Sequence, residues 1–66
     1  MTITQIMYAL ETARRGNISK AADALFVSQS ALSQQLQKLE KELGYQLFQR
    51  TVRGLEITDE GIVFCD

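Results

Sequence analysis

The first stretch of the chain places Ile3, Ile6, Met7, Leu10 and Ala13 at helical spacing. Glu11 lies three and four residues before Arg14 and Arg15, the separation at which side chains meet on an outer helical face. The pattern predicts an amphipathic first helix with those apolar residues turned inward, closed by Gly16. Ser19 then stands as the cap of a short helix, Lys20-Ala21-Ala22-Asp23-Ala24-Leu25-Phe26. Ala21, Ala22 and Leu25 fall on one side of it, and side chains as small as alanine let another helix come close.

The clearest pattern follows. Leu32, Leu36, Leu39 and Leu43 recur at spacings of four, three and four, which draws one narrow apolar stripe down a helix running about from Gln29 to Leu43. Ser28 is placed to cap its start and Gly44 to end it in a left-handed turn. At about 100° per residue, the face opposite the stripe carries Ser30, Gln34, Gln37, Lys38 and Lys41, with Gln29 and Ser33 on its flank near the N-terminus. Gln35 lies nearer the edge of the core.

Beyond Gly44 the period changes. Leu47-Phe48-Gln49-Arg50 and Leu55-Glu56-Ile57, joined by Thr51-Val52-Arg53-Gly54, predict a hairpin with an exposed basic tip. Thr58 followed by Asp59 and Glu60 has the makeup of a helix start, a hydroxyl cap with acids near the positive end of the dipole. That fourth helix runs through Ile62, Val63 and Phe64 to the last residue, Asp66, without a cap. In a chain of 66 residues, such a helix reads as the first turns of a longer one, and the chain as a head separated from a larger protein.

Composition narrows the chemistry. The chain is 45% apolar and 23% charged, outside the regime of disorder. One cysteine, Cys65, and the absence of histidine exclude an internal disulfide and an ordinary zinc site. No apolar run reaches the roughly 18 residues of a membrane span, and the N-terminus lacks the basic start and apolar stretch of a signal peptide. A cytoplasmic protein with a reduced thiol is expected. An enzyme is the weakest function class: Ser28, Ser30 and Ser33 have no histidine to activate them, and Glu40 and Glu42 point in different directions from a helix.

The net charge of −1 conceals an uneven distribution. All 7 cations lie between Arg14 and Arg53, with only Asp23, Glu40 and Glu42 against them, so this stretch carries +4. A basic middle is either a solvated surface or an electrostatic footprint for nucleic acid. A short helix, a tight turn through Phe26-Val27-Ser28 and a longer helix with a polar outer face form a helix-turn-helix pattern. Glutamine can pair bidentately with the major-groove edge of adenine, and Gln29, Gln34, Gln35 and Gln37 are dense for a merely solvated helix. Lys20, Arg50 and Arg53 are positioned for phosphate, with Arg53 at the hairpin tip suited to a narrow minor groove.

The runs Ile18-Ser19-Lys20-Ala21-Ala22-Asp23-Ala24-Leu25, Val27-Ser28-Gln29-Ser30-Ala31-Leu32-Ser33, Leu39-Glu40-Lys41-Glu42-Leu43-Gly44-Tyr45-Gln46-Leu47-Phe48-Gln49-Arg50 and Leu55-Glu56-Ile57-Thr58-Asp59-Glu60-Gly61 closely resemble the N-terminal domain of LysR-type transcriptional regulators. The resemblance implies a mainly α fold with a small β-hairpin, a winged helix-turn-helix with a three-helix core and a two-stranded wing. It implies a DNA-binding domain over residues 1–58, with the helix-turn-helix at about 18–37 and the wing at about 46–57. Residues 59–66 then begin a linker helix that pairs subunits.

Carried over position by position, base readout falls on Gln29, Ser30, Ser33 and Gln34, with Gln37 further along the helix, and backbone or wing contact on Ser28, Arg50, Thr51 and Arg53; Lys20 and Lys38 join the expected backbone contacts as cations. The family often has proline where this chain has Ser30, and arginine where it has Gln34 and Gln37. That difference moves preference from guanine towards adenine. The partners implied are double-stranded DNA, at an inverted-repeat-like site, and further copies of the full-length protein, joined through the linker helix as a homodimer or a higher homo-oligomer. A small-molecule effector belongs to a C-terminal domain absent from this chain, and no cofactor is expected in the present one. The rival reading is a winged helix used as a protein-interaction module, which would not need to gather its cations around one helix and a wing.

Overall fold

The computed structural model describes residues 1–65. In chain order it comprises α1 (Ile3–Arg15), α2 (Ile18–Leu25), α3 (Gln29–Leu43), β1 (Phe48–Thr51), β2 (Gly54–Ile57) and α4 (Asp59–Cys65). The strands form one antiparallel hairpin in which Phe48 faces Ile57 and Thr51 faces Gly54. The turn is therefore only Val52-Arg53, tighter than the four-residue connection the sequence suggests.

The caps are mostly those anticipated. Ser28 accepts the Ala31 amide at 3.1 Å, and Thr58 accepts that of Gly61 at 2.9 Å. Gly16 and Gly44 are left-handed, with φ of 65° and 84°. Two departures stand out. Asn17, not Ser19, caps α2, accepting the Lys20 amide at 2.9 Å, because the helix begins two residues earlier and leaves Ser19 inside its first turn. The turn between α2 and α3 also needs a left-handed residue, and here it is Phe26, at φ 59°. An L-residue in that region costs roughly 1 kcal/mol. At 95% exposure, Phe26 recovers nothing by burial.

The core gathers Ala9, Ala21, Ala22, Leu32, Leu36, Leu39, Leu47 and Phe48. The leucine stripe of α3 lies where its spacing puts it. The inner face of α1 does not: Gln5, Ala9 and Thr12 are buried, whereas Ile3 is 78% exposed and Met7 and Leu10 also face outward. Ala9 turns inward beside the buried alanines of α2, Ala21 and Ala22, a pairing of small side chains that suits a close helix approach.

The buried polar groups on α1 have partners. Thr12 donates from Oγ1 to the Tyr8 carbonyl at 2.7 Å. Gln5 completes a capping box with Thr2 and donates from Nε2 to Oε1 of Gln35 at 3.1 Å, a polar link between α1 and α3. On the outer face Arg15 pairs with Glu11 at 2.6 Å. That bond, reinforced by the charge of Arg14, holds the Glu11 carboxyl below its ordinary range against the opposing effect of desolvation. The pair's contribution is present at neutral pH and disappears as pH falls through that lowered value.

α4 sits close to the base of the hairpin. A Cβ at Gly61 would lie 2.3 Å from the Leu47 carbonyl oxygen and 2.8 Å from Cγ1 of Ile57. Since the first of these atoms is backbone, Gly61→Ala is expected to lower stability by about 1–3 kcal/mol, read as a fall in thermal midpoint by circular dichroism. An unchanged midpoint would show that α4 can back away from Leu47 without cost.

Candidate nucleic-acid interface

α3 buries Leu32, Leu36 and Leu39, so its opposite side faces solvent. Ser30, Gln34, Gln37, Lys38 and Lys41 are exposed there, as is Gln29 at the N-terminal end, while Ser33 is half-buried. Among the described residues, no side-chain hydrogen bond engages Ser30, Ser33, Gln34 or Gln37. Gln29 differs: its Nε2 donates to Oγ of Ser19 at 3.2 Å, which draws the amide towards the start of α2.

The hairpin stands beside this face. Two adjoining grooves mark the junction, one of about 420 Å³ lined by Ser33, Gln37, Glu40, Gln49 and Arg50 among others. The second, of about 250 Å³, lies between the start of α2 and the wing, with Ser19, Gln29, Arg50 and Arg53 on its walls. The fold thus brings Gln29, Ser33, Gln37, Arg50 and Arg53 together. Lys20, Ser28, Ser30, Gln34, Lys38 and Thr51 line neither groove.

Two of the residues assigned to DNA contact by resemblance already serve the fold. The Ser28 oxygen caps α3, and its proton remains free to donate. Thr51 donates to the Gly54 carbonyl and accepts the Arg53 amide, each at 3.2 Å, which braces the wing turn. Arg53 at the tip is 86% exposed in its side chain and 3.9 Å from the Glu56 carboxylate. Among the described residues, Lys20, Lys38 and Arg50 form no salt bridge.

Ser19 and Gln49 also face the grooves but were not assigned to DNA contact from the sequence. Alternation along β1 is enough to find Gln49, since buried Phe48 sends its neighbour outward. Ser19 was masked by its suitability as a cap.

Nothing in this arrangement favours nucleophilic chemistry. Burial pushes the Cys65 thiol up, which disfavours the thiolate. Among the described residues no group of three or more acids, cysteines or histidines could hold a metal ion. No helix of the described chain is long and apolar enough to cross a membrane.

A helix-turn-helix followed by a two-stranded wing, with uncommitted polar groups along the second helix of the motif, defines a winged-helix module of the kind that meets nucleic acid. Residues 3–62 match the family model for the bacterial regulatory helix-turn-helix protein, lysR family, and the chain belongs to that family. It is 42% identical over 66 residues to the HTH-type transcriptional regulator TfdT of Cupriavidus pinatubonensis (strain JMP 134 / LMG 1197), covering 100% of this chain and 29% of that protein.

Among solved structures, it is similar to the complex of the CbnR DNA-binding domain with DNA. The TM-score is 0.92 at 40% identity, over 98% of this chain and 75% of that one. The complex of the BenM DNA-binding domain with catB site 1 DNA gives a TM-score of 0.93 at 38% identity, over 98% and 73%. These matches favour the DNA reading over a protein-interaction module.

The two roles assigned to serines on α3 separate experimentally. Ser28→Ala removes a helix cap and is expected to lower stability by about 1 kcal/mol, whereas Ser30→Ala should stay within about 0.5 kcal/mol of the parent. Urea unfolding midpoints compare them directly. Equal shifts would remove the distinction between a cap and an uncommitted surface hydroxyl.

Proposed function

We propose that this chain is the sequence-specific, double-stranded DNA-binding head of a LysR-type transcriptional regulator. In this reading α3 enters the major groove and the wing meets the minor groove or the adjoining backbone. The observation that carries it is the row of unengaged polar side chains along the exposed face of α3, flanked by Arg50 and Arg53 of the wing. A surface of that composition offers donors and acceptors to base edges and cations to phosphate, the two kinds of contact that recognition of a duplex combines. Gln29, Ser30, Ser33, Gln34 and Gln37 read bases, with the glutamines favouring adenine. Lys20, Ser28, Lys38, Arg50, Thr51 and Arg53 contact the backbone or shape the wing.

The chain spans less than a third of TfdT, its curated relative, so the activity of a whole regulator extends the proposal. Such a protein acts in the cytoplasm, binds DNA without catalysing a reaction, and needs no cofactor in this domain. It pairs through the helix that α4 begins, on an inverted-repeat-like site, and senses a small-molecule effector through a separate C-terminal domain. The outward-facing Ile3, Met7 and Leu10 of α1 and Ile62 and Val63 of α4 support pairing, because they leave apolar area that a second copy would cover.

Titration of mixed-sequence duplex DNA at several salt concentrations tests the central claim. Binding that weakens steeply with salt is expected, and no binding even at low salt would overturn it. Arg53→Ala should weaken binding to all duplexes alike. Gln29→Ala should instead narrow the gap between a duplex enriched from a random pool and a random one, by roughly 1–3 kcal/mol. An unchanged gap would remove Gln29 from the readers.

A further inference from the structure

We infer that Glu40 is a positioning residue for the wing: its carboxylate, carried on α3, fixes where Arg50 and Arg53 stand relative to Gln29, Ser33 and Gln37. The inference rests on the DNA-binding reading above and deepens it. Glu40 is half-buried, and its Oε2 accepts the amides of Leu47 at 2.6 Å and Phe48 at 3.2 Å, at the point where the chain passes into β1. The opposite edge of the same segment is held by the start of α4. Thr58 donates from Oγ1 to the carbonyls of Gln46 at 2.6 Å and Leu47 at 3.1 Å, and from its amide to Leu47 at 2.9 Å.

Direction is what this tie supplies. A two-stranded hairpin is marginal alone and takes its place from what it rests on. Leu47 and Phe48 anchor it in the core, but apolar burial is non-directional and sets depth rather than angle. Two amides converging on one charged oxygen are directional, and bonds to an ionised acceptor are roughly twice as strong as neutral ones. The location of Glu40 is informative too. It lines the groove that also holds Ser33, Gln37 and Arg50, where a carboxylate repels a polyanion. Its charge is tolerable there because it is turned onto backbone amides, and its contribution to binding passes through the wing.

The test is a set of double-mutant cycles on the 66-residue chain, using a duplex that the chain enriches from a random pool. Glu40→Asp keeps the charge but withdraws the carboxylate by one methylene, about 1.5 Å. Glu40→Gln keeps the reach and an acceptor oxygen but loses the charge. In the parent, Arg53→Ala is expected to weaken binding about five- to tenfold. In the Glu40→Asp background the same change should cost no more than about twofold, while the loss from Gln29→Ala stays the same in both. Glu40→Gln should retain the Arg53 effect to within about twofold of the parent.

Additive Arg53 losses in Glu40→Asp, or equal shrinkage of the Arg53 and Gln29 losses, would overturn the assignment. So would loss of the helical circular dichroism of Glu40→Asp, since the tie would then hold up the domain rather than aim the wing. Failure of the parent to bind any duplex would remove the DNA reading and this inference together. A parent that binds and depends on Arg53, with no coupling to Glu40, would remove the inference alone.

Discussion

Burial of Leu32, Leu36 and Leu39 along one side of α3 constrains everything around it. A helix that keeps one stripe dry has its opposite stripe turned to solvent by geometry alone. The three residues are nearly inaccessible, so α3 cannot rotate without exposing them. The same constraint orders the rest of the fold, since α1, α2 and the base of the hairpin each close part of the core that this stripe begins. The polar face of α3 therefore stands on a fixed backbone. The buried stripe fixes the backbone positions from which Ser30, Gln34 and Gln37 project, while their exposed side chains, bonded to no neighbour among the described residues, stay free to turn towards a partner.

The parts of the fold legible in the sequence were those encoded by local chemistry. Hydroxyls at Ser28 and Thr58, glycines at Gly16 and Gly44 and the leucine spacing each act within one or two helical turns, and each sits where its pattern implies. Misreadings arose where tertiary packing decides. Hydrophobicity points Ile3, Met7 and Leu10 inward, yet the buried side of α1 carries Gln5, Ala9 and Thr12, with Ala9 beside the alanines of α2. Periodicity reports amphipathicity, and it is silent on how near the neighbouring helix will come.

The interface was legible to a similar degree and for similar reasons. Exposure of Gln29, Ser30, Gln34 and Gln37 follows from the stripe opposite them. The engagement of Gln29 with Ser19, of Thr51 with the wing turn, and of Glu40 with Leu47 and Phe48 does not. The Gln29 and Glu40 contacts join different elements, whereas that of Thr51 spans only two and three residues and depends on the hairpin closing at Val52-Arg53. Glu40 is the sharpest case. Read as a sequence it is one acid on a charged helix, and only the return of the chain at Leu47 gives its carboxylate a task.

Phe26 bears on how such a domain can change over time. A side chain held left-handed in the turn, almost wholly in solvent, is a local debit in a chain small enough for its net stability to be slight. Glycine at that position would relieve the backbone without touching α3 or the wing. The turn is thus a reserve of stability lying outside the reading surface. New combinations of base-contacting residues that weaken the fold become survivable once that reserve is drawn upon, and the specificity of the head can drift while its scaffold stays above the threshold for folding.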